Sequence, residues 1–447
     1  MMAIDRRTAL ASVAAATALS ATCLSGTRAK GAAAKAGASF PSGFLWGAST
    51  AAHQVEGNNV NADLWVVENL PDTMYADRSG DAANSFDLWP VDLDLVKGMG
   101  LNSYRFSLEW ARIEPDMGQF SNAMLDHYTA MIEGCRERGI HPVVTFNHFT
   151  TPRWFAAMGG WLNPESPALF ARYCDRAARH LSQAIGHATT LNEPNLSGII
   201  GEILPGNLVA GDKALQEAAA KELGVQRYVT GISLYVENVA LYRANQMEAH
   251  RQGCAAIKAA RTDLPVGVSL AITDDQAVGK NSRQNAIRDR HYGEWLRIAA
   301  KTCDFIGVQN YERKKWDDKD IVPVAADAPR NAAGAEVWPG SLAGAVHYAW
   351  EATRLPVIVT EHGVNSSDDK LRAWLIPLAL ADLKRVMDDG VPVHGYLHWS
   401  LIDNFEWGFG YGPKFGLHAF DRTTFKRIAK PSAAVLGAIA RRNALEG

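Results

Sequence analysis

From Phe40 onward, short and nearly continuous apolar runs alternate with longer stretches in which apolar residues return at helical spacing. The runs are Phe44–Thr50, Ser103–Trp110, His141–Phe149, Ala188–Glu193, Val266–Thr273, Asp304–Tyr311, Val357–Glu361 and Gly395–Leu401. Consecutive apolar positions of this length are the pattern of parallel strands buried on both faces. Between them, Asn122–Arg138 sets Met124, Tyr128, Met131, Ile132 and Cys135 on one helical stripe. Helices are also predicted over Val236–Arg261 and Leu371–Asp388. Eight strand–helix units in unbroken alternation predict an α/β fold of one domain, a closed (β/α)8 TIM barrel rather than an open doubly wound sheet.

The chain's 447 residues, 47% of them hydrophobic, suffice for that core in one domain. Its formal net charge of −3 gives no electrostatic footprint for nucleic acid or an anionic membrane. Residues 1–39 read differently. Arg6-Arg7 precede a modest run rich in Ala, Ser and Thr, followed by small residues. This has the form of a twin-arginine export signal and linker, with residues 40–447 as the exported, periplasmic body. The run is too short and polar for a span of about 20 apolar residues, so no integral membrane segment is expected. Cys135, Cys174, Cys254 and Cys303 are scattered without a CxxC spacing, and the expectation is buried free thiols and no metal. No Gly-rich phosphate loop appears, so no cofactor is expected.

The polar residues then fall into place. Arg105, His148, Asn192, Glu193, Tyr311, Glu361 and Trp399 lie at or near the C-terminal ends of their predicted strands, the end where a barrel assembles its active site. A strand buried on both faces has no structural use for a carboxylate there unless it is paired or functional. Two such carboxylates, Glu193 in TLNEP and Glu361 in VTEHG, suit glycosidic-bond cleavage. That reaction uses one carboxyl on each side of the sugar, and a retaining enzyme holds them about 5–5.5 Å apart. One must stay ionised while the other stays protonated, which a neighbouring cation and mutual repulsion can arrange. Arg105 is placed to pair with one of them.

The motifs FLWGASTAAHQVEG, YRFSLEWARIEP, NHFTTPRWFAAMGGW, TLNEP, VTEHG and HWSLIDNFEWGFGYGPKFGL follow in this order, with Thr424–Arg427 and Lys430–Ala433 after them. From Phe40 to the C-terminus the chain resembles glycoside hydrolase family 1, the β-glucosidase family. The resemblance implies a retaining β-glycosidase acting on β-linked oligosaccharides or glycosides, with Glu193 as acid/base and Glu361 as nucleophile. It implies that Arg105 and Tyr311 hold the nucleophile. It further implies sugar contacts from Gln54, His148, Asn192, Glu406 and Trp407, over a stacking floor at Trp399. A lone histidine or tryptophan is more often core, so His148 and Trp399 rest on their motif contexts.

Some positions depart from the family pattern. His362 stands where Asn is usual, and Gln309-Asn310-Tyr311 replaces Asn-Tyr-Tyr, which removes one aromatic wall. Lys414 replaces an Arg, and the Leu196–Val225 segment is short, which bears on acceptor preference. Glu109 replaces a small residue and is expected to form an ion pair with Arg112 at the barrel wall. The retained Glu406 argues against 6-phosphorylated sugars, because it would repel their phosphate. The retained Glu193 argues against thioglucosidase chemistry. A binding protein on the same barrel would lack one of the two glutamates, whereas a transglycosylase would share both.

Overall fold

A computed structural model describes residues 39–446 apart from 198 and 201–203. The expected export segment thus lies outside the described residues except for Ser39. Among the described residues, no helix is long and apolar enough to cross a membrane.

Eight parallel strands close into a barrel: β1 (Leu45–Ser49), β2 (Ser103–Ser107), β3 (His141–Asn147), β4 (His187–Asn192), β5 (Val266–Ala271), β6 (Phe305–Asn310), β7 (Val357–His362) and β8 (Val393–Trp399). Each falls on one of the eight apolar runs, shorter by one to three residues at several ends, where the chain turns out of the sheet. The predicted helices form over Asn122–Glu137, Val239–Ala260 and Asp369–Asp388.

The seam between β1 and β8 pairs Leu45 with Gly395 and Ser49 with Trp399, while β1 also pairs Gly47 with Ser103 of β2. Gly47 permits this closure. A Cβ there would lie 2.4 Å from Leu397 Cδ2 and 2.6 Å from the Ser103 carbonyl. The interior floor is a small apolar cluster of Val143, Phe305, Ile358 and Leu397, separate from the large core between strands and helices. Val143 is the register partner of Arg105, so the floor and the polar residues share one side of the sheet.

The loops above the strand ends are tied together by Asp63. Its buried carboxylate accepts from the backbone N–H groups of Leu64 at 2.7 Å, Thr151 at 3.1 Å and Gly231 at 2.6 Å, and from the Thr151 hydroxyl at 2.9 Å. These donors belong to the loops that follow β1, β3 and β4. Burial pushes the Asp63 carboxyl up, and the donors pull it back toward the ionised form. Part of the Leu196–Val225 segment forms the helix Gly206–Glu222, whose Leu215, Ala219 and Ala220 pack with Leu64, Val67 and Tyr228.

Glu109 and Arg112 do not pair. Glu109 caps the short helix Trp110–Ile113 by accepting from Ala111 N–H at 3.2 Å, and it takes the Thr150 hydroxyl at 2.8 Å. Arg112 reaches instead to Glu56 at 2.9 Å. The cap fixes the Glu109 carboxyl above its own helix, and the cation one turn on finds a carboxylate from the first loop.

Replacing Asp63 with Ala would strand four buried donors, three of them backbone N–H groups. The expected loss is about 3 kcal/mol of stability, read as a lower thermal midpoint against wild type, together with impaired activity as three rim loops loosen.

Candidate active site

Arg105 enters from β2 with its side chain wholly buried. One end of its guanidinium donates to Glu361 Oε1 at 2.6 Å and the other to Asn192 Oδ1 at 2.6 Å. Gln309, the register partner of Glu361 on the adjoining strand, donates to the same two oxygens, at 2.7 Å to Glu361 and 2.8 Å to Asn192. The Tyr311 hydroxyl donates to the other carboxylate oxygen of Glu361, Oε2, at 2.6 Å. Glu361 therefore receives three donors, one of them a cation.

The same arrangement orients Asn192. Its Oδ1 accepts twice, so its amide N–H2 faces His148, with Nδ2 3.2 Å from Nε2. His148 Nε2 must then be the acceptor, which places the ring proton on Nδ1. Burial, and then the nearby Arg105 cation, holds His148 well below its ordinary pKa, so it is a neutral ring.

Glu193 follows Asn192 at the end of β4, half-buried, with its backbone N–H on the Ser269 carbonyl at 2.8 Å. Its φ of 43° is left-handed, a conformation uncommon for a residue with a Cβ and found preferentially at functional sites. Phe149 (φ 68°) and Trp407 (φ 52°) share it on the same rim. Burial and the Glu361 charge push the Glu193 carboxyl well above the usual range, with Arg105 opposing and Glu406 adding to the rise. Burial raises Glu361 as well, but Arg105 and the Tyr311 hydroxyl draw it back. The two carboxyls are held in unequal environments, as acid/base pairs require.

The remaining predicted residues assemble beside them. The Trp399 indole lies parallel to the His148 ring, 5.6 Å between centroids and tilted by 15°, and its N–H points to Glu406 Oε1 at 3.4 Å. Trp407 stacks on His53 at 5.9 Å and lies 6.2 Å from His148. Gln54 donates to Asn404 Oδ1 at 3.1 Å and to the Phe405 carbonyl at 2.9 Å. Burial, opposed by the Trp399 N–H and reinforced by Glu361, pushes the Glu406 carboxyl up to about 8, so the like-charge repulsion of a 6-phosphate expected from the sequence applies only above that pH. Among the described residues, Gln54 Oε1, His148 Nδ1, Gln309 Oε1 and Arg105 Nε are buried without a protein partner, a concentration of unmet polar atoms suited to a hydroxyl-rich ligand.

All ten predicted site residues thus lie at one end of the barrel or in the loops above it. Gln309 is the participant that the sequence reading missed. Its spacing was the available signal, because residues two apart on a strand share a face, and Tyr311 had already been placed inward. His362 adjoins Glu361 on β7, and strand alternation turns its ring to the opposite face. Its Nδ1 is 2.9 Å from the Tyr396 hydroxyl, which is 2.9 Å from His398 Nδ1. Burial lowers the His362 pKa to about 3, so it remains neutral. Lys414 donates its ammonium to the Tyr411 carbonyl at 2.7 Å, a structural contact of its loop.

Over nearly its whole length the chain is similar to known glycosidases. The chain is 30% identical over 441 residues to a β-glucosidase of Agrobacterium sp., covering 90% of this chain and 95% of that protein. It is 27% identical to β-glucosidase A of Thermotoga maritima, covering 91% and 99%. The solved structure of the β-glycosidase BGL167 superposes with a TM-score of 0.85 at 42% identity, covering 91% of this chain and 98% of that one. The apo structure of β-glucosidase 1317 gives a TM-score of 0.85 at 38% identity, covering 89% and 98%. The sequence model of glycosyl hydrolase family 1 matches residues 36–445, nearly the whole barrel and every motif that builds the site. This chain belongs to glycosyl hydrolase family 1.

Proposed function

We propose that the chain is a retaining β-glucosidase that removes terminal non-reducing β-D-glucosyl residues from oligosaccharides or glycosides, with Glu361 as nucleophile and Glu193 as acid/base. The observation that carries this reading is the unequal provision for two neighbouring carboxyls. Glu361 receives Arg105, Gln309 and Tyr311, which favour its ionised form. Glu193 lies in the field of that charge and keeps its proton.

In the first step Glu361 attacks the anomeric carbon while Glu193 gives its proton to the leaving oxygen, forming a covalent glycosyl-enzyme. Glu193, now ionised, takes a proton from water, which attacks the same carbon and frees Glu361. Asn192 has its amide fixed by Arg105 and Gln309, and it is the donor nearest the reacting end of the sugar in this reading. His148, Gln54, Glu406 and Trp407 bind the other hydroxyls, and Trp399 floors the ring. Similarity to the Agrobacterium and Thermotoga β-glucosidases supports glucose as the sugar. Arg6-Arg7 and the Ala-rich run support export to the periplasm by the twin-arginine route. Protein from the cell envelope is then expected to have lost a segment ending near residue 40; an intact N-terminus in a soluble cytoplasmic pool would contradict this.

The two glutamates separate by the stereochemistry of rescue. Glu361→Gly is expected to abolish turnover of every substrate, and azide should restore part of it as the α-glycosyl azide. Glu193→Ala is expected to cost about 10²–10⁴-fold on substrates with poor leaving groups and far less on activated aryl glycosides. Azide should then yield the β-configured product. Exchanged configurations would reverse the roles. Release of the α-anomer first by wild-type enzyme would rule out retention.

Glu406 supplies a pH test. A folded-state pKa raised to about 8 means that the native state binds a proton more tightly than the unfolded chain. Its contribution to stability is therefore present below the ordinary carboxyl pKa and is lost as pH rises toward 8. Glu406→Gln is expected to raise the thermal midpoint at pH 8 and to change it little at pH 5, while weakening sugar binding at both. Equal shifts at the two pH values would contradict the raised pKa.

A further inference from the structure

Outside the sugar site, behind β4, the helix Val239–Ala260 presents His250 and Cys254 one turn apart, and Cys303 meets them from the end of the helix Glu294–Thr302. Cys303 Sγ is 3.5 Å from His250 Nε2, and Cys254 Sγ is 3.7 Å from Nδ1 and 3.8 Å from Nε2. One ligand atom from each of the three residues lies within 4.8 Å of the other two. His250 and Cys254 are buried, while Cys303 is only half-buried, which leaves a route from solvent.

We propose that His250, Cys254 and Cys303 form a binding site for a soft cation of tetrahedral preference, of the Zn²⁺ type. Zinc bonds run to about 2.3 Å for sulfur and 2.0–2.1 Å for imidazole nitrogen. Around a tetrahedral centre those lengths set sulfur and nitrogen roughly 3.5 Å apart. The two distances from His250 Nε2 to sulfur, 3.5 and 3.8 Å, are close to that edge.

The ring's partners also suit a ligand. Thr302 Oγ1 donates to the Ile298 carbonyl at 2.8 Å, so it accepts from His250 Nε2–H at 2.9 Å. His250 Nδ1 is 2.6 Å from Thr190 Oγ1, a hydroxyl that can equally accept. Moving the ring proton to Nδ1 keeps the Thr190 bond and frees the Nε2 lone pair for the cation. A metal-bound histidine usually donates its other N–H to an oxygen in this way. Binding displaces one proton from each thiol to solvent, and two thiolates neutralise a divalent charge in a mostly buried place. Water or the Thr302 hydroxyl completes four ligands. Mg²⁺ and Ca²⁺, which require oxygen ligands, would be refused. The bound ion would staple the helix Val239–Ala260 to the turn leading into β6.

The test uses the full chain, reduced and freed of metal, with Co²⁺ as a spectroscopic probe for Zn²⁺. The expected result is one Co²⁺ per chain with thiolate-to-cobalt charge-transfer absorption, displaced by Zn²⁺ and not by Mg²⁺. Cys303→Ser is expected to weaken binding by more than the roughly 100-fold that loss of an outer-shell partner costs, and to leave glycosidase activity unchanged. Adding Cys254→Ala should abolish the thiolate band, whereas Cys135→Ser should retain it. Should the variants fail to fold, alkylation of Cys303 in the wild-type chain, followed by mass spectrometry, should slow when Zn²⁺ is present. Absence of the thiolate band in the reduced wild type, its persistence in the double variant, or alkylation indifferent to Zn²⁺ would overturn the proposal.

Discussion

The guanidinium of Arg105 is the constraint on which the site depends. It is a cation with its side chain wholly buried, and it joins Glu361 of β7 to Asn192 of β4. An unpaired charge there would be costly, so the barrel must deliver both acceptors from distant strands at once. The same pairings favour the ionised form of Glu361 and fix which way the Asn192 amide points. Through Asn192 they fix the His148 tautomer. One side chain from the second strand thereby sets a charge, an orientation and a proton position on three others.

Strand register makes this possible. Gln309 and Glu361 are direct partners across β6 and β7, so a side chain one methylene longer than Asn spans to both Glu361 and Asn192. The aromatic wall is lost at the neighbouring Asn310, whose amide instead donates to the Ile272 carbonyl and accepts from the Ser341 hydroxyl. Below this polar layer, Val143, Phe305, Ile358 and Leu397 exclude water from the barrel floor. That low-dielectric base strengthens each charge interaction above it.

The strands were legible because burial on both faces leaves an uninterrupted apolar signature, and all eight runs correspond to barrel strands. The site was legible where a polar residue interrupted such a run, as at Arg105, Asn192 and Glu361. Contacts decided by loop geometry were not. Glu109 and Arg112 are three residues apart, the spacing of a helical pair, yet the first is held by its cap and the second is drawn to Glu56. His362 follows Glu361 in sequence, but alternation along the strand turns its ring to Tyr396. The His250, Cys254 and Cys303 cluster was hidden because one member is 49 residues from its nearest partner, and only packing of one helix's end against the body of another unites them.

Glu193, Phe149 and Trp407 all hold left-handed backbone at the mouth of the barrel. This bears on how such a rim can change under random mutation. At these three points a β-branched side chain would be excluded by its own backbone, whatever chemistry it offered, while Gly, Asn or Asp would be accommodated. Between Phe149 and Glu193 the left-handed positions, Gly159 and Gly160, are already glycine, and the rest of that stretch carries no such restriction. Drift in acceptor preference would therefore accumulate in the intervening stretches, with the three residues as fixed stations around which the mouth is rebuilt.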